Sequence, residues 1–189
     1  MALIGANELK RKILITLDGQ PYIVLEVTFA SPSARGASTM VKARVRNLLT
    51  GAVLDKNFKA AEKFSEPDVE KITASFLYAD PDACFFMEEN TFEQFPLANE
   101  KIADLKGYLK ESMIVEALKY NGQIISIQLP VYVELKVTSC EPTKGDSGSS
   151  NATKQGVLET GLEVRMPLYI KEGDTVRVNT QTREVAGRA

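Results

Sequence analysis

The sequence of 189 residues contains no histidine. This absence removes nucleophiles activated by histidine, metal clusters held by histidine and histidine proton shuttles. Aspartate, glutamate, lysine and tyrosine remain available for acid–base chemistry, so an enzyme is disfavoured rather than excluded. Because no motif among the carboxylates or lysines indicates catalysis, the sequence predicts a protein that is not an enzyme.

Cysteine is scarce, and Cys84 and Cys140 stand apart without a close cysteine or histidine. Their isolation indicates neither a zinc site nor a disulfide framework, and we expect two reduced thiols in a cytoplasmic protein. No hydrophobic run approaches the roughly 18 residues that a membrane-spanning helix needs. The start, Met1–Lys10, lacks the apolar core of a secretory signal. We therefore expect no membrane association, no metal and no cofactor.

Charge is unevenly distributed, although the whole chain carries only −2. Residues 1–64 carry +5, residues 65–129 carry −7, and residues 130–189 are neutral. A basic first segment suits phosphate binding, because each neutralised phosphate releases condensed counterions. An acidic middle segment favours solvent or a basic protein as its neighbour. The alternative is a chance distribution of surface charge.

The first segment is rich in strand signals. Asp18 and Gly19 separate two apolar runs, which strongly indicates a tight β-hairpin. After the loop Ser31–Thr39, apolar residues alternate with basic ones, so one face of this strand is predicted to be apolar and the other basic. About five short strands in this length favour a small SH3-like barrel. The predicted elements are the strands Ile13–Leu17, Tyr22–Phe29, Val41–Arg46 and Val53–Phe58 and the turn Asn47–Gly51.

The middle segment shows the pattern of an OB-type barrel, with several strands and one short helix. Asn121-Gly122 is a second hairpin signal, and the helical spacing of Ile102, Leu105 and Leu109 predicts a helix over Asn99–Lys110. The predicted strands are Val69–Tyr78, Cys84–Met87, Phe92–Phe95, Ile114–Tyr120 and Ile124–Leu129. For Phe85, Phe86, Phe92 and Phe95, core packing is favoured over base stacking.

The last segment contains further strand candidates and a long polar loop, Thr143–Asn151, rich in glycine and serine. Its predicted strands are Tyr132–Val137, Val164–Pro167 and Thr175–Asn179. We place the domain boundaries near residues 64 and 129, which gives three domains over 1–64, 65–129 and 130–189. The predicted fold class is mainly all-β, with three consecutive small β-barrels.

Stretches in all three segments share the order and spacing of one known family. They are Val41–Gly51 with Phe58-Lys59, Phe86–Gln94, Asn121-Gly122-Gln123 with Leu129-Pro130, Gly145-Asp146-Ser147, and the run from Lys154 through Gly161 and Pro167 to Gly173. Together they resemble the elongation factor P family over essentially the whole chain. The resemblance implies an N-terminal SH3-like (KOW-like) barrel followed by two OB-fold barrels, in an elongated L-shaped arrangement similar to a tRNA.

The resemblance also implies a function. Such a protein is a translation elongation factor, expected to be monomeric, that binds the bacterial 70S ribosome, its RNA and its proteins. It binds between the peptidyl-tRNA and exit sites and relieves stalling at consecutive prolines. It does so by positioning the acceptor end of the peptidyl-tRNA, without an active site of its own.

The loop of the first domain is the predicted functional element. It consists of Ser31, Pro32, Ser33, Ala34, Arg35, Gly36, Ala37, Ser38 and Thr39. It resembles a branch of the family with Ser-Pro-x-Ala-Arg-Gly at this place, and Arg35 occupies the tip that reaches the acceptor end. Arginine excludes the lysine-type extension of other members, while modification of Arg35 by an arginine-modifying enzyme stays open. Pro32 stiffens the loop, Gly36 permits a close approach to RNA, and Arg35 offers a planar fork for phosphate or base stacking.

Further candidate RNA contacts lie outside this loop. Lys42, Arg44 and Arg46 form the predicted basic strand face, for which a solvated barrel surface is the alternative. Gly145, Asp146 and Ser147 match the family loop near the exit-site codon, but Ser147 replaces the commoner threonine, and a flexible surface loop is the alternative. Arg188 matches a family arginine. Val185 and Arg183 stand where tyrosine and glycine are usual, so we expect the contacts of the third domain to differ.

Other functions remain open from the sequence. One is a ribosome-binding paralogue that acts on other stalls, which the unusual loop favours. Another is a general single-strand nucleic-acid-binding protein, which would need basic grooves with exposed aromatic residues. The charge of −7 over residues 65–129 argues against that second alternative.

Overall fold

The computed structural model describes residues 3–30, 40–141 and 153–189. Strands dominate this part of the chain, and the predicted all-β fold class is confirmed. The strands are β1 (Leu3–Gly5), β2 (Leu14–Leu17), β3 (Gln20–Ala30), β4 (Met40–Asn47), β5 (Val53–Lys59), β6 (Lys63–Ser65), β7 (Glu70–Ala79), β8 (Ala83–Glu88), β9 (Gln94–Ala98), β10 (Ile114–Tyr120), β11 (Gln123–Gln128), β12 (Tyr132–Cys140), β13 (Thr153–Leu158), β14 (Glu163–Pro167), β15 (Thr175–Asn179) and β16 (Val185–Arg188). The helical elements are two 3₁₀ turns, Ala6–Glu8 and Asn99–Ile102, and the single-turn helix α1, Ala103–Lys106.

The chain divides into two compact units. The first comprises Met1–Lys71 together with Leu118–Ser126, and the second comprises Ile72–Ala117 together with Ile127–Ala189. This division follows spatial contacts, whereas the domain ranges 1–64, 65–129 and 130–189 follow sequence patterns and stay a prediction.

The first unit contains a four-stranded antiparallel sheet in the order β2-β3-β4-β5 and the short pair β1-β6. One face of the sheet covers an apolar core, because the side chains of β4 alternate between buried and exposed as predicted. The buried core residues are Ala6, Leu9, Ile15, Tyr22, Val24, Val41, Ala43, Val45, Phe58 and Phe64.

A second apolar cluster in this unit joins the sheet to a distant part of the sequence. Leu118 and Ile125, from the end of the β10-β11 hairpin, are buried with Leu14 and Leu48. Burial of such side chains stabilises a fold by about 1.5–3 kcal/mol each. The tip of the second predicted hairpin therefore belongs structurally to the first unit.

The second unit contains most of two five-stranded sheets. Their strand orders are β11-β10-β7-β8-β9 and β14-β13-β12-β15-β16. The turn Glu159–Leu162 between β13 and β14 contacts the chain after α1: Thr160 Oγ1 donates to the Gly107 carbonyl over 2.6 Å, and Lys110 Nζ lies 3.1 Å from Glu159 Oε1.

Both predicted two-residue hairpin turns are present. Asp18 and Gly19 have φ of 51° and 75°, and Asn121 and Gly122 have φ of 49° and 79°. Two successive positive φ values match the twist of the flanking strands, and Asp, Asn and Gly are the residues that adopt them most readily. The local sequence therefore determines these two connections.

Several predicted elements differ from the structure. The helix expected over Asn99–Lys110 is shorter, because its first part is a 3₁₀ turn and α1 ends at Lys106 before Gly107. The strand expected at Phe92–Phe95 begins two residues later, and Phe92, with φ of 60° and 69% exposure, lies in the preceding turn rather than in the core. Phe86 is buried as expected. Strands β1, β6, β13 and β16 were not predicted.

Candidate functional site

The longest strand of the first unit leads directly into the predicted functional loop. Strands β3 and β4 form eight cross-strand pairs, the last being Ala30 with Met40. Residues 31–39, including Arg35 and the rest of the predicted loop, lie outside the described residues. Because the two attachment points, Ala30 and Met40, are paired, the predicted loop is attached at one end of the β3-β4 antiparallel ladder.

The opposite end of β4 is fixed by a buried amide. Asn47 is 4% exposed, its Nδ2 donates to Gln20 Oε1 over 2.6 Å, and its Oδ1 accepts from the backbone N–H groups of Leu49 and Thr50. A buried amide with these partners is costly to displace, because a broken network leaves a polar group unpaired. The ladder that ends at Ala30 and Met40 is therefore anchored firmly at its other end.

The predicted basic face of β4 is present, but it is flanked by acidic residues. Lys42 and Arg44 point outward, where Lys42 lies between Thr28 and Asn57 on the neighbouring strands. Arg44 lies between Glu26 and Asp55, with 4.0 Å from its Nε to Asp55 Oδ1. A surface groove of about 250 Å³ runs over these residues. The positive charge of Arg44 is thus balanced locally, while the direct neighbours of Lys42 are neutral hydrogen-bonding side chains.

The sequence did not indicate these acidic neighbours, because their positions depend on the pairing of three strands and, for Glu26, on a bulge. The register between β3 and β4 shifts between Val24 and Glu26, and this extra residue places Glu26 opposite Arg44. Bulges arise where paired strands differ in length by one residue, which a single strand does not reveal. Arg46, the third predicted contact, is paired with Ile23 and Val53 and is half-buried.

The predicted sites of the last segment lie in two places. Gly145, Asp146 and Ser147 fall outside the described residues. Arg188 lies on β16, where its Nε donates to Asp174 Oδ2 over 2.9 Å and its Nη2 donates to the Tyr169 carbonyl over 3.2 Å. The Arg188 guanidinium therefore already bonds β16 to Asp174 and Tyr169, two residues outside the strands. An RNA contact would use the remaining N–H donors of Arg188.

The two unusual residues near the C-terminus have structural explanations. Arg183 has φ of 62°, a left-handed conformation that glycine adopts without cost, so the glycine expected here from the resemblance would also fit this backbone. Val185 is 9% exposed and packs into the core. A tyrosine at this place would need more room or a polar partner.

The part of the chain that the structure describes holds no cluster of metal-ligating side chains. Residues 3–30, 40–141 and 153–189 contain no group of three or more histidine, cysteine, aspartate or glutamate side chains arranged to hold a metal ion. Burial raises the pKa of the Cys84 thiol, whose Sγ lies 3.3 Å from Asn99 Oδ1. A buried neutral thiol is a weak nucleophile. Within the same ranges, no helix has the length and hydrophobicity to cross a membrane.

Family models match three consecutive stretches of the chain. They are described as the elongation factor P KOW-like domain over residues 5–64, the elongation factor P OB domain over 69–127 and the elongation factor P C-terminal domain over 133–188. Elongation factor P 1 of Geobacter sulfurreducens is 39% identical over 187 residues, covering 99% of this chain and 100% of that protein. Elongation factor P of Moorella thermoacetica is 40% identical over 188 residues, with the same coverage. The chain belongs to the elongation factor P family.

Family membership confirms the prediction that the protein is a translation elongation factor, and it implies association with the ribosome. The relatives are named as elongation factors rather than as enzymes. Among solved structures, an initiation factor 5A from Methanococcus jannaschii has a TM-score of 0.44 and 17% identity, covering 67% of this chain and 94% of that one. This likeness is too low to support a conclusion about function.

Proposed function

We propose that this elongation factor P family member binds the ribosome between the peptidyl-tRNA and exit sites and accelerates peptide-bond formation at polyproline stalls. The observation that carries the proposal is the full-length match to elongation factors P, combined with a functional loop attached to the end of the β3-β4 ladder. Arg35 at the loop tip contacts the acceptor end of the peptidyl-tRNA. The protein works as a cytoplasmic monomer and supplies no catalytic group.

The proposed mechanism is positioning. Proline is a constrained donor and acceptor, so the peptidyl-tRNA occupies unproductive geometries at consecutive prolines. A loop held on a ladder that Asn47 anchors at its far end would favour the reactive arrangement. Each factor of ten in rate requires a barrier lower by about 1.4 kcal/mol, which a few ordered contacts can supply.

The loop sequence supports placing the protein in the branch with Ser-Pro-x-Ala-Arg-Gly at residues 31–36. In this branch Arg35 takes the role of the lysine found elsewhere. An arginine-modifying enzyme is an additional proposed partner, and mass analysis of protein purified from its native host tests it.

The experiment measures synthesis of a polyproline-containing reporter on purified ribosomes. It compares no factor, native protein, Arg35→Ala and the matched control Arg11→Ala, an arginine of the same unit that lies outside the loop. We expect native protein and the control to restore synthesis and Arg35→Ala to lose most of the effect. Equal synthesis with and without native protein would reject the proposal. If the ribosome is nevertheless bound, the alternative of a paralogue acting on other stalls would be favoured.

The basic face gives a second, quantitative arm of the experiment. If Lys42 contacts a phosphate, Lys42→Ala weakens ribosome binding. The slope of log affinity against log salt concentration should then fall by the contribution of about one phosphate contact. Arg44→Ala is the paired comparison, and we expect a smaller effect because Glu26 and Asp55 balance the charge of Arg44. Equal effects of the two substitutions would show that the acidic neighbours do not matter.

A further inference from the structure

Residues 130–189 keep both of their aromatic residues on the surface. This segment contains Tyr132 and Tyr169 but no phenylalanine or tryptophan, and the two tyrosines are 43% and 58% exposed. The buried apolar side chains around which its described part folds are non-aromatic, among them Leu135, Leu158 and Met166. Single exposed aromatic residues are common, so the position of these two relative to each other is the more informative feature.

The two tyrosines lie at opposite ends of a short row that starts at Tyr132 on β12, crosses β15 and β16, and ends at Tyr169, in the segment between β14 and β15. The Cζ atom of exposed Arg177 lies 5.0 Å from the centroid of the Tyr132 ring. Arg177 is paired across the strands with Gly187, and the Tyr169 hydroxyl lies 3.7 Å from the position that a Cβ atom on Gly187 would occupy. The row therefore runs from Tyr132 through Arg177 and Gly187 to Tyr169, and we call it the tyrosine–arginine row.

Glycine at position 187 makes room for the Tyr169 side chain in this row. Gly187 has φ of 147°, a conformation that side chains other than glycine rarely adopt. Without a side chain, Gly187 leaves room for the Tyr169 hydroxyl, which lies over the backbone at this point. The row thus brings two exposed aromatic rings and a guanidinium group together on one surface.

The chemistry of the row fits an unpaired nucleobase. Bases of single-stranded RNA stack on aromatic side chains and on arginine guanidinium planes. The row lacks the dense positive charge of a phosphate-tracking groove, since Glu134 is the cross-strand neighbour of Arg177. A basic peptide would instead need several carboxylates, and Glu134 is the only acidic residue paired directly with a described member of the row. Stacking is therefore the favoured interaction.

We propose that the tyrosine–arginine row is a stacking site for an unpaired RNA base within the ribosomal complex. This inference rests on the proposed function insofar as the chain must bind ribosomes. It differs from the predicted contacts at residues 145–147, which are not part of the row. It also differs from the predicted contact at Arg188, whose side chain contacts the row through the Tyr169 carbonyl and offers hydrogen-bond donors rather than a stacking ring. Base stacking is tolerant of base identity, so the site would strengthen binding rather than read a sequence.

The first test measures the affinity of purified ribosomes for the full chain. We expect Tyr132→Ala to weaken binding about 10-fold, as loss of one stacked base implies, and Tyr132→Phe to retain near-native affinity. Tyr78→Ala is the matched control, because Tyr78 is a 53% exposed tyrosine that stacks on Phe85 outside the row. Circular dichroism establishes that each variant is folded. Native affinity in both Tyr132→Ala and Tyr169→Ala would overturn the proposal.

The second test identifies the partner. Ribosomal RNA and tRNA are probed with a base-modifying reagent at factor concentrations that saturate each variant. We expect at least one unpaired base to be protected by native protein and by Tyr132→Phe but exposed with Tyr132→Ala. Protection unchanged in Tyr132→Ala, or a cross-link from position 132 to a ribosomal protein instead of RNA, would overturn the assignment.

The polyproline reporter separates this inference from the proposed function. At saturating concentration, Tyr132→Ala should restore synthesis as well as native protein does, because only affinity is lowered. If native protein binds and protects a base but does not restore synthesis, the proposed function fails while the stacking site stands. If Tyr132→Ala restores synthesis with unchanged affinity and protection, the stacking site fails alone.

Discussion

The two five-stranded sheets have the same topology but are packed with different side chains. Numbering the strands of each sheet from its first strand along the chain, both have the order 5-4-1-2-3. Both also shift register once between strands 1 and 2, at Phe76/Tyr78 in the first sheet and at Val137/Ser139 in the second. The shared bulge allows residues of the two sheets to be equated one by one.

The equated pair that precedes the bulge consists of aromatic side chains in the first sheet and of aliphatic side chains in the second. Phe76 and Phe86 are paired in the first sheet, with ring centroids 5.5 Å apart in an edge-to-face arrangement. Val137 and Leu158 take their places in the second and are equally buried. The pairing pattern is thus compatible with either an aromatic or an aliphatic core. The second sheet is thus packed with aliphatic side chains at these positions, while its Tyr132 lies on the surface.

The largest expected effect comes from emptying the aromatic core. Phe86 is fully buried and contacts Phe76 and Phe95. We expect Phe86→Ala to lower the free energy of unfolding by about 4 kcal/mol, through lost burial and the cavity left behind. Leu158→Ala, the equated change in the second sheet, should cost about 3 kcal/mol, because a smaller side chain is removed. Denaturant unfolding measures both, and a larger loss for Leu158→Ala would contradict the equivalence.

A glycine marks where the second sheet is packed more closely than the first. Cys84 of the first sheet is equated with Gly156 of the second. A Cβ atom on Gly156 would overlap the end of the buried Met166 side chain and lie 3.1 Å from the Ser139 carbonyl oxygen. We therefore expect Gly156→Ala to destabilise the fold by about 2 kcal/mol through overpacking.

The methionine provides the control for this prediction. Met166→Val in the Gly156→Ala background should recover part of the lost stability, although Met166→Val alone is destabilising. Coupling of this kind is expected between residues in contact. If Gly156→Ala leaves the denaturation midpoint unchanged or raises it, the position has more room than the structure indicates.

The sequence predicts those features of the sheets that depend on near neighbours. Two kinds of feature depend only on neighbouring residues and are predicted correctly from the sequence. They are the hairpin turns at Asp18-Gly19 and Asn121-Gly122 and the alternation of buried and exposed side chains along β4. Strand β13 was missed because Lys154 and Gly156 make it unlike a typical strand. In the structure, however, Lys154 is 9% exposed and Gly156 gives space to Met166. These roles depend on residues far along the chain.

The candidate site shows the same limit. The outward direction of Lys42 and Arg44 follows from alternation and was predicted correctly. The balancing of Arg44 by Glu26 and Asp55 depends on the register of three strands and on a bulge, so it could not be inferred from one stretch of sequence. The roles of Arg35 and of Gly145, Asp146 and Ser147 stay predictions, since they lie outside the described residues.

A smaller effect should come from the turn that distinguishes the second sheet. Glu159 accepts from the Lys136 backbone N–H over 3.0 Å and pairs with Lys110, whereas Phe92 in the corresponding β8-β9 turn is exposed. The Lys136 N–H is the main cause that lowers the pKa of Glu159 from its usual value near 4.5, and Lys110 adds to it. We expect Glu159→Gln to cost about 1 kcal/mol at neutral pH.

The pH dependence of this effect has a definite sign. Because the pKa is lowered in the folded state, the stabilising contribution is complete above about pH 4.5 and is lost as the pH falls through the folded value. The difference in unfolding free energy between native protein and Glu159→Gln should therefore shrink below pH 4.5. Glu163→Gln, an exposed change on the adjacent strand, is the control. A difference that stays constant in acid would mean that the charge of Glu159 is unimportant.

The smallest expected effect on stability comes from replacing an exposed tyrosine of the first sheet by the serine found at the equated position of the second sheet. Tyr78 is equated with Ser139, and its ring stacks on Phe85 with centroids 4.7 Å apart. Because Tyr78 is 53% exposed, Tyr78→Ser should lower the free energy of unfolding by about 0.5 kcal/mol, at the low end for an aromatic pair. Ribosome affinity should not change, in contrast to Tyr132→Ala. A loss of affinity in Tyr78→Ser would place an interaction surface on both sheets and remove the difference in aromatic use on which the stacking site depends.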